Sequence, residues 1–142
     1  MNSTDATIKA VNTTIRPRPL SPHLQVYRWL ITSTLSILHR LTGVALSAGL
    51  AYLSMWLIYG AYYPEQYDDF MRFAASPLGI IILAGWSIAL NYHFCNGIRH
   101  LFWDMGRGFE LHNVTYTGFI VLAATLVLTA IEWAFGLGYI NI

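Results

Sequence analysis

Three stretches of this chain contain no Asp, Glu, Lys or Arg: residues 41–64, 73–98 and 111–131, of 24, 26 and 21 residues. Crossing the hydrocarbon core of a bilayer takes about 20 helical residues, so each stretch is long enough. Backbone polar groups in lipid must be satisfied internally, which leaves helices or the strands of a closed barrel. The stretches are apolar throughout rather than alternating, and that excludes barrel strands. The composition agrees: 11% of residues are charged and 56% hydrophobic, against about a quarter charged in an average soluble domain. Eight basic and seven acidic residues leave a net charge of +1, so no strong field points to nucleic acid. A single cysteine, Cys95, excludes a disulfide-built secreted module.

The expected fold is therefore an all-α membrane protein with three transmembrane helices at about 33–62, 77–104 and 113–138, following an N-terminal segment of residues 1–28. The breaks carry their own signals. Tyr62-Tyr63-Pro64-Glu65 ends the first span. Ser76-Pro77 reads as an N-cap with proline at the first helical position. Asp104-Met105-Gly106-Arg107-Gly108 ends the second span with glycines suited to a C-terminal cap. Lys9, Arg16, Arg18 and Arg28 precede the first span, and Arg99 and Arg107 lie around the second connection, whereas the 63–76 connection holds only Arg72. The positive-inside rule then places the N-terminus in the cytoplasm. Tyr27, Trp29 and Trp103 form the expected inner aromatic belt, and Tyr59, Tyr62, Tyr63, Trp133 and Tyr139 the outer one. Residues 1–20 have neither the apolar stretch of a signal peptide nor the amphipathic character of a transit peptide. They are expected to be an extended cytoplasmic segment in a bacterial cell inner membrane, with the mitochondrial inner membrane as the alternative.

Polar groups inside such spans are costly and mark either packing or a site. Ser36, Arg40, Gly43 and Ser47 are spaced by four, three and four residues, so they share one helix face, with His39 beside Arg40. Arg40 lies about 33 Å of helix from Tyr62, near the inner edge of the hydrocarbon. Snorkelling to the interface is the bland reading for it. His93, Gly97, His100 and Asp104 repeat the same spacing on the second span. His93 is the deepest of these, and a neutral imidazole facing a bundle interior is a good haem-iron ligand. Gly97, one turn on, would admit a flat macrocycle or another backbone. His93 and His100 are about 10 Å apart along the helix and cannot both ligate one iron. A second axial histidine has to come from elsewhere: His39, which this reading sets nearer the surface, or another chain. A hydrogen-bonded packing histidine is the alternative for His93. Glu132 is expected to reach the outer interface, and Cys95, Trp86, Tyr52 and Trp56 to pack or meet lipid.

Three motifs occur in order: Arg18-Pro19-Leu20-Ser21-Pro22-His23-Leu24-Gln25-Val26-Tyr27, Ser36-Ile37-Leu38-His39-Arg40-Leu41-Thr42-Gly43, and His93-Phe94-Cys95-Asn96-Gly97-Ile98-Arg99-His100-Leu101-Phe102-Trp103-Asp104. Together they resemble the cytochrome b membrane-anchor subunit of succinate dehydrogenase (respiratory complex II), over about residues 16–138. The resemblance implies that Ser36 and Arg40 bind ubiquinone and that His93 is an axial ligand of one haem b. It places His39, Arg40 and His100 near the haem propionates. It further implies a second membrane-anchor subunit that supplies the other histidine, and iron–sulfur and flavoprotein subunits that deliver electrons from succinate in the tricarboxylic acid cycle and respiratory chain. Ubiquinone and membrane lipid are the remaining partners. With one cysteine and no dinucleotide fingerprint, the chain itself cannot carry the succinate-oxidising chemistry. The rivals are a structural anchor without cofactor, a fumarate reductase anchor, and a small transporter lined by the same histidines. The lack of acidic groups in the membrane interior counts against the transporter.

Overall fold

Helix ends fall where the chain supplies caps. The Ser76 hydroxyl accepts from the Gly79 backbone N–H at 3.2 Å, with Pro77 opening the helix behind it. At the other end Gly106 takes φ +73°, its N–H donates to the Trp103 carbonyl at 2.8 Å, and the Arg107 N–H donates to the Phe102 carbonyl at 3.1 Å. That pair of bonds is a Schellman cap, which needs a left-handed residue and so a glycine. The computed structural model, which describes residues 21, 23, 24 and 27–138, thus contains α1 (Ile31–Tyr62), α2 (Pro64–Ala74), α3 (Pro77–Asp104) and α4 (Leu111–Gly136). Residues 1–20 and Tyr139 lie outside the described residues.

The second expected span matches α3 at both ends. The first starts two residues early, where the Leu30 carbonyl accepts from the Ser33 and Thr34 N–H groups. The third is shifted two residues toward the N-terminus. It opens after Glu110, whose carboxylate accepts from the Asn113 amide at 2.8 Å, a bond that holds the Glu110 carboxyl below the usual range. It closes before Gly138, which has φ +76°.

The 63–76 connection between the first two spans contains a further helix, α2. Pro64 starts it, Glu65 sits in its first turn and Arg72 in its last, each favourable to the helix dipole. Tyr67, Phe70 and Ala74 are its half-buried residues. They recur at helical spacing and fold the helix back on α1, with Phe70 tilted on Tyr52 at 4.4 Å. The Arg72–Asp69 ion pair on its other side is highly exposed and contributes little.

α1, α3 and α4 are each long and apolar enough to cross a membrane. Their outer faces stay open: Val44, Leu50, Ile81, Leu101, Phe119 and Leu126 are all more than half exposed, as lipid- or partner-facing residues are. α3 lies between α1 and α4. The three meet at Leu35, Tyr92 and Val121, the buried apolar core. Leu35 is admitted because α4 has Gly118 there; a Cβ at that position would stand 2.7 Å from Leu35 Cδ1. The Tyr92 hydroxyl donates to the Leu35 carbonyl at 2.7 Å, so the core tyrosine is satisfied and ties α3 to α1.

Nearer α2, Gly49 lets the Trp86 indole lie against the α1 backbone, and a Cβ there would overlap the indole ring. Gly49→Ala is expected to cost about 1–3 kcal/mol by overpacking, read as a lower thermal unfolding midpoint in detergent. Gly85→Ala is the control, since its Cβ would meet nothing within 4 Å. Equal midpoints for the two variants would remove the steric argument.

Candidate functional site

The crossing of α1 and α3 gathers three histidines that lie 61 residues apart at the extremes, His39 to His100. His39 comes from α1. His93 and His100 come from one face of α3, two turns apart. The His39 and His93 rings stack with centroids 4.0 Å apart and planes 11° from parallel. His39 also meets His100 at 5.1 Å, and His100 meets the edge of Trp103 at 5.0 Å. His39 thus sits between the two α3 histidines, on the His100 side of His93, with the His39 and His93 rings face to face.

Close approach of the helices depends on small residues at the crossing. A Cβ at Gly43 would stand 3.2 Å from His93 Cε1, so the glycine leaves the imidazole its place. Gly97 was expected to admit a macrocycle or a backbone. Here it faces the His39 ring, with its missing Cβ 4.0 Å from Cε1, an ordinary contact.

His93 is held by one nitrogen. Its Nδ1 lies 3.2 Å from the His39 carbonyl and 3.2 Å from Thr42 Oγ1. A carbonyl can only accept, so the proton belongs on Nδ1. The Thr42 hydroxyl lies 2.9 Å from the Leu38 carbonyl and donates there, leaving its oxygen free to accept. Nε2 then carries the lone pair. An imidazole with Nδ1–H tied to a carbonyl and Nε2 free has the orientation and tautomer of a metal-ligating histidine. The residues fit an axial haem ligand at His93. They do not fit His39 as the opposite ligand of the same iron. Opposite ligands aim nitrogens at one another across the metal, and rings stacked face to face at 4.0 Å leave no space for a macrocycle between them. His39 Nδ1 is buried with no hydrogen-bond partner. Among the described residues no group of three His, Cys, Asp or Glu is arranged to hold a bare metal ion.

Ser36 is half-buried and Arg40 exposed on α1. They lie one turn apart, and Arg40 follows His39 directly. The one ion pair among the described residues is Arg72–Asp69, so the Arg40 charge has no partner there.

Two features went unread in the sequence. The sequence motif that contains Thr42 assigns it no role. Arg99 was counted with the cations of the second connection, but it is 6% exposed inside the bundle. A polar residue three positions before it, Asn96, was the available signal, and the Asn96 carbonyl oxygen accepts from Arg99 Nη1 at 3.3 Å. Glu132 is exposed on α4. Its carboxylate accepts from the Asn91 amide at 2.9 Å, drawn toward α3. A groove of about 400 Å³ runs along another flank of α3, by Ile98, Phe102 and Ile120, and none of the three histidines lines it.

Residues 14–131 match the family described as succinate dehydrogenase/fumarate reductase transmembrane subunit. The chain is 47% identical over 117 residues to the succinate dehydrogenase cytochrome b556 subunit of Rickettsia felis, covering 82% of this chain and 90% of that protein. It is 40% identical over 114 residues to the subunit of the same name from Paracoccus denitrificans, covering 80% and 88%. It is also 40% identical over 114 residues to the mitochondrial succinate dehydrogenase cytochrome b560 subunit of Sus scrofa, covering 78% and 66%.

Proposed function

This chain belongs to the succinate dehydrogenase/fumarate reductase transmembrane subunit family, and from that premise we propose that it is the haem b- and ubiquinone-binding anchor of a succinate:ubiquinone oxidoreductase. The observation that carries the reading is the tethered His93: Nδ1 fixed by the His39 carbonyl, Nε2 free. Three spans enclose too little to bury a haem, so a second membrane-anchor subunit would complete the bundle and share in holding the haem. The N-terminal side faces the cytoplasm of a bacterial inner membrane, where flavoprotein and iron–sulfur subunits dock. With one cysteine, this chain receives electrons rather than holding the clusters that deliver them.

A haem held here would supply one-electron transfer. His93 would ligate its iron through Nε2, and Thr42 keeps the imidazole from rotating. His39 and His100, with Arg40 beside them, supply donors and positive charge for propionate carboxylates. Ubiquinone takes up two electrons and two protons to become the quinol. The Ser36 hydroxyl donates to a quinone carbonyl and orients the ring. Arg40 stabilises the negative charge that develops on the oxygen before it is protonated. A position near the inner edge keeps the path short for protons and for electrons from the docked subunits. The family description spans both directions, and the same residues serve quinol oxidation with proton and electron flow reversed.

The test is the purified assembly, solubilised in mild detergent. Succinate is expected to reduce a b-type haem, and added ubiquinone to reoxidise it. An assembly that oxidises succinate but contains no haem would leave the chain a structural anchor.

A further inference from the structure

Burying a guanidinium costs several kcal/mol unless an opposite charge accompanies it. Arg99 is 6% exposed between α3 and the first turns of α4, and no carboxylate lies within ion-pair distance among the described residues. Neutral groups satisfy it instead. Nε donates to Thr117 Oγ1 at 3.1 Å, Nη2 to the Val114 carbonyl at 2.8 Å, and Nη1 to Asn96 Oδ1 at 3.3 Å. Asn96 is fully buried, and its amide nitrogen has no partner. The guanidinium is solvated by the protein, and its charge is not cancelled.

That charge stands directly behind the histidines. The Arg99 guanidinium covers the Trp103 ring at 4.1 Å from its centroid. Trp103 presents its ring at right angles to His100 at 5.0 Å, and His100 reaches His39 and through it His93. A fixed cation in a low-dielectric interior is screened weakly and favours added negative charge nearby. An ion of this kind inside a membrane bundle calls for a function. Helix cementing alone does not require one, because a neutral donor would serve Thr117 and Val114 equally well.

We propose that Arg99 is an uncancelled positive charge that raises the electron affinity of the haem bound at His93, acting from behind the Trp103–His100 pair. This rests on the haem reading above. The role is electrostatic positioning of an electron, and Arg99 itself touches no reacting atom.

The test is a redox titration of the b band in the whole purified complex, with four variants. Thr117→Asp sets a carboxylate beside Nε and cancels the charge with Arg99 in place; Thr117→Val keeps the bulk and leaves the charge uncancelled. Arg99→Gln removes the charge, and Arg99→Lys retains it. Thr117→Asp and Arg99→Gln are expected to move the midpoint to more negative potential, with a several-fold rise in the oxidised-to-reduced ratio at the wild-type midpoint. Thr117→Val and Arg99→Lys are expected to stay near the wild-type value. If Arg99→Gln does not assemble, the Thr117 pair decides. Equal midpoints for Thr117→Asp and Thr117→Val overturn the proposal while the haem reading stands. A wild-type complex without haem overturns both.

Discussion

Replacing His93 with alanine is expected to abolish the low-spin b-type spectrum of the assembled complex, while succinate still reduces a soluble dye. The imidazole is the one side chain in the cluster with a free ring nitrogen and a fixed tautomer, because its other nitrogen is tied to the His39 carbonyl. Alanine leaves neither a ligand nor a donor there. The dye activity is the control: it depends on the docked subunits and on assembly, and a folded anchor preserves it. A milder change separates ligation from orientation. Thr42→Val removes the hydroxyl 3.2 Å from Nδ1 but keeps the ring and the carbonyl bond. It is expected to weaken haem retention by about 10–100-fold, the usual effect of losing an outer partner of a ligating histidine. Pyridine-haem content and the low-temperature spectrum measure both variants. A His93→Ala complex with an unchanged low-spin spectrum would place the ligand elsewhere.

What was legible beforehand follows from how local each cause is. The three spans could be read because lipid demands length and uninterrupted apolarity, and those are properties of a string. Ser76 and Gly106 could be read because caps act within four or five residues. α2 could not. Its 11 residues are too short and too charged for a span, and an isolated helix of that length is marginal until it packs. Its stabilising partner, the Tyr52 side of α1, is remote in sequence. The candidate site divides in the same way. Spacing put His93 and His100 on one face, but only the crossing of α1 over α3 brings His39 between them. Arg99 was misjudged for that reason as well. A cation five residues from a helix end counts as a surface charge until α4 offers it the Thr117 hydroxyl and the Val114 carbonyl.

Arg40→Ala is expected to lower ubiquinone reduction by about 10²–10³ with dye reduction unchanged, and the reasoning turns on which charge is free to act. Two arginines lie near the cluster. Arg99 has its donors committed to α3 and α4 and is enclosed by them. Arg40 is exposed on α1, has no ion-pair partner among the described residues, and follows a cluster histidine. Of the two, Arg40 is the one with donors left uncommitted for an arriving quinone. Removing one preorganised donor from a developing oxyanion costs about 10²–10³ in rate. The neutral Ser36 hydroxyl contributes one ordinary hydrogen bond, about 0.5–1.5 kcal/mol, so Ser36→Ala should lose roughly tenfold or less. Arg40→Lys retains charge without the planar fork and should fall between wild type and Arg40→Ala. Quinone turnover lowest in Arg40→Ala, with Arg40→Lys and Ser36→Ala both above it at constant dye turnover, is the signature of charge stabilisation at this turn of α1. Equal loss of both activities would instead mean a complex that had not assembled, and full quinone turnover in Arg40→Ala would remove this arginine from the site.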